Sequence, residues 1–213
     1  MRAFPSAGRP SAGARSRPAV DALSLPTWAE AGLGRPAAAG PPTLADKVAL
    51  WHGDLTRLRA GAVVNAANTA LLRGGGICGA LHRAAGPGLE AECKAIGRCE
   101  TGSAVLTSGH DLPADHVIHA VGPVGEKPDL LAAVYASCLD TAEAAGLESI
   151  GLCCISTGIY GYPPERAAPV ALAAVHRWLA DHRDTGLKVV VFCVFDRVTE
   201  DLYAAEMRRV FGA

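Results

Sequence analysis

The chain has 213 residues, 20 basic against 21 acidic side chains, and half of its residues are apolar. That length suits one domain with an extension. The near-zero net charge removes the electrostatic case for nucleic acid or an anionic membrane surface, and no apolar run approaches the roughly 20 residues of a membrane-spanning helix.

Residues 1 to about 44 are rich in Ala, Gly, Pro and Arg, and four arginines precede the first acid, Asp21. No periodic apolar face runs through them, so they read as a disordered leader ahead of a domain over 45–213. An Arg- and Ser-bearing, acid-poor start is also the composition of a mitochondrial transit peptide, although Pro5, Pro10 and Pro18 interrupt any helix. Leu23, Leu25 and Trp28 are isolated apolar residues, which in a tail ordinarily stay unpacked.

From Asp46 onward strands and helices alternate. Strand patterns cover Val48 to His52, Ala62 to Asn65, Ala104 to Thr107, His116 to Ala120, Ser149 to Ile155 and Lys188 to Phe195. Helix patterns cover Ile77 to Ala85, Gly88 to Ala95, Pro128 to Ala145, Pro164 to His182 and Thr199 to Val210. Strands that are apolar on both faces, alternating with helices, predict a sheet covered on both sides. Only a short turn joins the first strand to the second, so the first is expected to be antiparallel. No internal repeat is visible.

The stretch Asn65-Ala-Ala-Asn68 leaves an apolar strand, passes Gly74 to Gly76, and enters a helix pattern at Ile77. A strand end, a Gly-rich turn and a helix start make an anion site: the backbone can approach closely, and free N–H groups face the ligand. The two carboxamides add neutral groups suited to hydroxyls. A second loop, Ile155 to Pro163, also lies between a strand and a helix. Two such loops on neighbouring strands can clamp a diphosphate at the end of an open sheet. No Lys-Ser/Thr follows the glycines, which excludes a nucleotide-triphosphatase loop. Gly74, Gly76 and Gly79 match a dinucleotide spacing only weakly. The pattern therefore calls for a ligand that carries both phosphate and sugar.

The seven cysteines have no C-x-x-C spacing, and Cys138, Cys153, Cys154 and Cys193 fall in apolar patterns. They read as thiols of a reducing, cytoplasmic protein, not as a disulfide framework. Cys78 and His82 are four apart and can share a helix face, but nothing completes a metal set. No metal or cofactor is expected, and a monomer is.

These motifs resemble the macrodomains, and within them the MacroD-type ADP-ribosyl hydrolases. The residues that carry the likeness are Gly53-Asp-Leu-Thr56, Asn65-Ala-Ala-Asn68, Gly74-Gly-Gly-Ile-Cys-Gly-Ala-Leu-His-Arg-Ala-Ala-Gly86, Val117-Ile-His-Ala-Val-Gly-Pro123 and Ile155-Ser-Thr-Gly-Ile-Tyr-Gly-Tyr-Pro163, in order, over roughly Asp46 to Phe211. The resemblance implies a three-layer α/β/α fold with a central mixed sheet. It also implies binding of ADP-ribose, with removal of mono-ADP-ribose from acidic protein side chains or deacetylation of O-acetyl-ADP-ribose. A non-catalytic ADP-ribose reader is the alternative.

The resemblance also assigns roles. Asp54 would accept a hydrogen bond from the adenine amino group, with the Leu55 backbone beside it and Phe195 stacked on the base. Asn68 would bind the distal ribose and place the attacking water, with Asn65 pinning the loop through backbone bonds. Gly75, Gly76 and Ile77 on one side, and Ser156, Thr157, Gly158, Ile159 and Tyr160 on the other, would hold the diphosphate and cover the distal ribose. His82 would lie near that ribose, and Arg83 at the surface. Cys78 is the departure, because the family usually has Asp there. A thiol is mostly neutral at pH 7 and a poor base, which leaves the substrate's own phosphate to activate water.

Overall fold

The computed structural model describes residues 18–32 and 43–212. A six-stranded sheet is formed by β2 (Val48–His52), β4 (Ala62–Ala66), β5 (Ala104–Ser108), β6 (His116–Ala120), β7 (Ser149–Leu152) and β8 (Val189–Val194), in the order β2-β8-β7-β4-β6-β5. Five helices complete the domain: α1 (Gly76–Ala85), α2 (Pro87–Ile96), α3 (Pro128–Ala144), α4 (Pro164–Asp181) and α5 (Arg197–Phe211).

The period of two along the strands builds two cores. In β8, Val190, Phe192 and Val194 face one side, where they meet Leu131 and Val134 of α3, Leu172 and Val175 of α4 and Met207 of α5. Val189, Val191 and Cys193 face the other, where they join Leu81 and Ala85 of α1 and Leu89 and Cys93 of α2. Both faces of the sheet are thus covered, giving the expected three layers.

Two expectations are corrected. β2 is not antiparallel: it runs parallel to β8, from Val48 opposite Val190 to His52 opposite Val194. The segment after β2 does not turn back as a hairpin; it crosses to β4, three positions along the sheet with β8 and β7 between, and carries β3 (Leu58–Arg59) outside the main sheet. The antiparallel strand that makes the sheet mixed is β5, against β6.

The leader is the second correction. Its residues 1–17 and 33–42 lie outside the described residues, but 18–32 are packed onto the domain. β1 (Val20–Asp21) pairs in parallel with β3, and Asp21 Oδ1 accepts the Leu23 N–H at 2.9 Å to start a 3-10 turn. Trp28 is 1 % exposed, and its backbone N–H donates to Val48 O at 2.7 Å. Buried Ala22 and Trp28, together with the β1–β3 pairing, dock the segment. Leu23 stays half exposed.

Smaller differences bear on the site. β7 ends at Leu152, three residues early, because the chain leaves the sheet into the second loop. There the Tyr135 hydroxyl donates to Cys153 O at 3.0 Å and accepts the Ile155 N–H at 3.1 Å. α5 starts at Arg197, since Asp196 caps it by accepting the Thr199 N–H at 2.8 Å.

Candidate functional site

β4, β7 and β8 are parallel neighbours, and a cleft of about 670 Å³ opens at their carboxyl ends. This is where ligands bind in open α/β sheets. Both Gly-bearing loops line it, as do Asp54, Leu55, Asn68, Cys78 and Phe195. Of the predicted residues, His82 alone is absent from the walls. No lysine or arginine lines the cleft among the described residues, so an anion there must be held by backbone N–H groups.

The first wall is set by α1 and the turn before it. Gly76 opens the helix at φ +54°, a conformation glycine adopts without strain. Among the described residues the N–H groups of Gly75, Gly76 and Ile77 have no backbone partner; this is the open end of a helix, with its partial positive charge. The Cys78 thiol turns back on this wall, where Sγ accepts the Gly74 N–H at 3.3 Å.

Asn65 and Asn68 exchange their expected duties in part. Asn68 is the loop pin: Oδ1 accepts the N–H groups of Ala70 and Leu72, both at 3.1 Å, and Nδ2 donates to Leu72 O at 2.8 Å. One Nδ2 hydrogen is left for the cleft. Asn65 is buried and does not pin the loop through backbone bonds. Its Nδ2 meets His119 Nδ1 at 3.0 Å and Cys78 Sγ at 3.7 Å.

The second wall is held from below by Tyr135 and laterally by a turn in which the Tyr162 N–H donates to Ser156 O at 3.0 Å. The N–H groups of Gly158, Ile159 and Tyr160 have no partner among the described residues. Ser156 sits at φ +68° with its buried hydroxyl unpartnered. Gly122 after β6 packs so closely that a Cβ there would lie 2.3 Å from Ser156 Oγ. A Cβ on Gly158 would meet nothing within 4 Å.

At the far end, Asp54 Oδ1 accepts from the Thr56 N–H at 3.0 Å and from the Thr56 hydroxyl at 2.7 Å. The other carboxylate oxygen has no hydrogen-bond partner among the described residues. Phe195 is 80 % exposed, which no core role explains and a stacking surface does. Asp196 joins this end, and hydrogen bonding from the Thr199 backbone holds its carboxyl below the usual range.

Sequence reasoning missed Gly122, Cys153, Cys154 and Cys193 as wall residues. Their strands were legible, but which residue tops a strand depends on register. Burial pushes the Cys153 and Cys154 thiols up to about 12 and about 11, so both stay neutral beside an anion.

His82 lies one turn beyond Cys78 and is 4 % exposed, with neither ring nitrogen bonded to the protein. It lines a second, smaller cavity instead of the cleft. His82, Cys93 and His119 place possible ligand atoms within 4.8 Å of one another, a trio that no sequence spacing announced, in place of the Cys78–His82 pair. Both His119 nitrogens are already engaged, by Asn65 at 3.0 Å and Thr107 at 2.9 Å. A metal held here would have to displace one of them.

The three-layer domain with a cleft over its parallel strand ends has the architecture of a ligand-binding α/β/α module. The Macro domain family model matches residues 64–171, and the chain belongs to that family. It is 47 % identical over 176 residues to "ADP-ribose glycohydrolase MACROD2" of Xenopus laevis, across 79 % of this chain and 42 % of that protein. It is 42 % identical over 199 residues to "ADP-ribose glycohydrolase MACROD1" of Bos taurus, across 88 % and 61 %. A macro domain-containing protein of Chlorobaculum tepidum is 48 % identical, across 70 % of this chain and 89 % of its own. The structure superposes on a Trypanosoma brucei macrodomain in complex with ADP-ribose with a TM-score of 0.80 at 41 % identity, covering 89 % of this chain and 77 % of that one. The chain spans about two fifths of the length of the MACROD2 relatives.

Proposed function

We propose that this protein binds ADP-ribose and hydrolyses its conjugates, releasing mono-ADP-ribose from acidic protein side chains and deacetylating O-acetyl-ADP-ribose. The observation that carries the reading is the facing pair of unpartnered N–H rows, Gly75 to Ile77 and Gly158 to Tyr160, in a cleft without lysine or arginine. This is a cradle for a diphosphate, with an acceptor (Asp54) and an exposed ring (Phe195) at one end for an adenine. The relatives named ADP-ribose glycohydrolase MACROD1 and MACROD2 support the coarser part of this reading, hydrolysis at ADP-ribose.

In this reading Asn68 orients the attacking water with its remaining Nδ2 hydrogen. The ligand's α-phosphate takes the proton, and the two loops hold the diphosphate in place. Positioning and fixed dipoles supply the acceleration. Cys78 contributes through Gly74, by keeping the loop in shape, and not as a base.

That same contact favours the second reading, a reader module. The thiol that stands where the family's Asp is usual is bonded to the loop backbone. Release of ADP-ribose from a Glu/Asp-modified protein by wild type and by Asn68→Ala separates the two, with ADP-ribose affinity measured alongside. Hydrolysis predicts release at least a hundredfold slower in the variant. Binding without release by wild type assigns a reader. We place the protein in the cytoplasm as a monomer, a setting that suits its seven unpaired thiols.

A further inference from the structure

A separate cavity of about 330 Å³ is lined by Arg73, which precedes the glycine turn, and by His82, Arg83, Gly86, Pro87 and Glu90. Its chemistry is the reverse of the cleft's. Among the described residues neither Arg73 nor Arg83 has an ion-pair or hydrogen-bond partner, whereas the acid in the wall, Glu90, is engaged by Lys94 at 2.7 Å. His82, nine-tenths buried and in the wall, has both ring nitrogens unpartnered. Buried polar groups without partners are rare and call for a ligand or an ordered polar group. Two free guanidiniums around one imidazole suit a carboxylate, which can accept bidentate bonds from arginine.

The position gives the cavity a purpose. Arg73 directly precedes Gly74 to Gly76 of the cleft wall, and His82 follows Cys78 by four residues on α1. One helical turn is about 5.4 Å, and an extended peptide advances about 3.4 Å per residue. At that scale one helical turn is spanned by about two residues of extended chain, which places the cavity for a peptide leaving the Cys78 wall of the cleft. We propose that Arg73, His82 and Arg83 form an acceptor subsite for a second carboxylate, two or three residues from the ADP-ribosylated side chain. It rests on the ADP-ribose reading of the cleft and narrows the substrate to acidic peptide stretches. His82 takes part as a neutral imidazole, because burial is the main cause that lowers its affinity for protons.

The test uses the full chain and two peptides ADP-ribosylated on one Glu, identical except that one carries Asp and the other Ser at the positions two and three residues away. Exposed charge pairs are weak, so we expect about a fivefold to tenfold preference for the acidic peptide. It is read as kcat/KM if the peptide is cleaved and as Kd if it is only bound. The preference should fall as salt rises. Arg73→Gln with Arg83→Gln should abolish it while leaving free ADP-ribose affinity and O-acetyl-ADP-ribose turnover unchanged. Arg73→Glu with Arg83→Glu should reverse it. Equal values for the two peptides with wild type overturn the subsite, as does a preference that survives both double variants. Failure of wild type to bind free ADP-ribose overturns the cleft reading, and the subsite with it.

Discussion

Asn65 Nδ2 lies 3.0 Å from His119 Nδ1, deep under the first loop. An amide nitrogen can only donate, so Nδ1 is the acceptor and His119 carries its proton on Nε2, which donates to Thr107 Oγ1 at 2.9 Å. A second proton would set an N–H against an NH₂ group. Burial, with a smaller contribution from His82, lowers the His119 pKa to about 4.

The consequence is a stability that depends on pH. A histidine near 6.5 when unfolded and about 4 when folded binds its proton only in the unfolded chain over that interval. Stability is therefore fully present above 6.5 and falls as pH drops, by about 2 kcal/mol between pH 7 and pH 5. His82, also lowered by burial, adds in the same direction. Urea unfolding at the two pH values measures the sum, and His119→Gln should remove a large part of the slope. A wild-type stability that is flat from pH 7 to 5 contradicts the buried neutral pair.

Cys78 sits between Asn65 and the Gly74 N–H. Cys78→Asp puts a charged acceptor on that N–H and a general base at the cleft wall. General bases are worth about 10²–10⁴ in rate, and Asp will realise only part of that beside a diphosphate. We expect at least a tenfold rise in release of ADP-ribose from a Glu-modified protein, with slightly weaker ADP-ribose affinity from charge repulsion. An unchanged rate shows that substrate-assisted chemistry already saturates the step.

Phe195 is largely exposed and outside both core clusters. Phe195→Ala should leave the melting temperature within a degree or so while weakening ADP-ribose binding. Base stacking is worth about 1–3 kcal/mol, which is roughly a fivefold to 150-fold rise in Kd by calorimetry. An unaltered Kd would falsify the stacking role.

The layers and both loops were legible because each is written locally, as a period of two, a period of 3.6, or a glycine run at a strand end. Pairing was less so. β2 against β8 joins residues about 140 apart, and nothing near Val48 announces its partner. Trp28 shows the same limit, since composition read its surroundings as a tail while buried Ala22 and Trp28 and the β1–β3 pairing dock it. For the site, Asn68, Cys78 and the loop glycines were found from sequence. His82 was expected near the distal ribose from the resemblance, and it lines the smaller cavity. His119 and Tyr135 act through contacts across the fold, and no spacing reveals them.

Tyr135 offers the cleanest check on that last point, since it never touches the cleft. Its hydroxyl ties together two backbone groups of the second loop, Cys153 O and the Ile155 N–H. Tyr135→Phe keeps the ring in the core and leaves the buried Ile155 N–H without an acceptor, at a cost of about 1–3 kcal/mol. For a chain of this size that lowers the melting temperature by roughly 2–10 °C. The Gly158 to Tyr160 N–H row follows three residues after Ile155, so it loses its fixed base, and ADP-ribose affinity should fall severalfold with it. Conservative repacking alone cannot move both readouts. A variant that melts like wild type and binds ADP-ribose equally well shows that the loop is held by its own turn bonds.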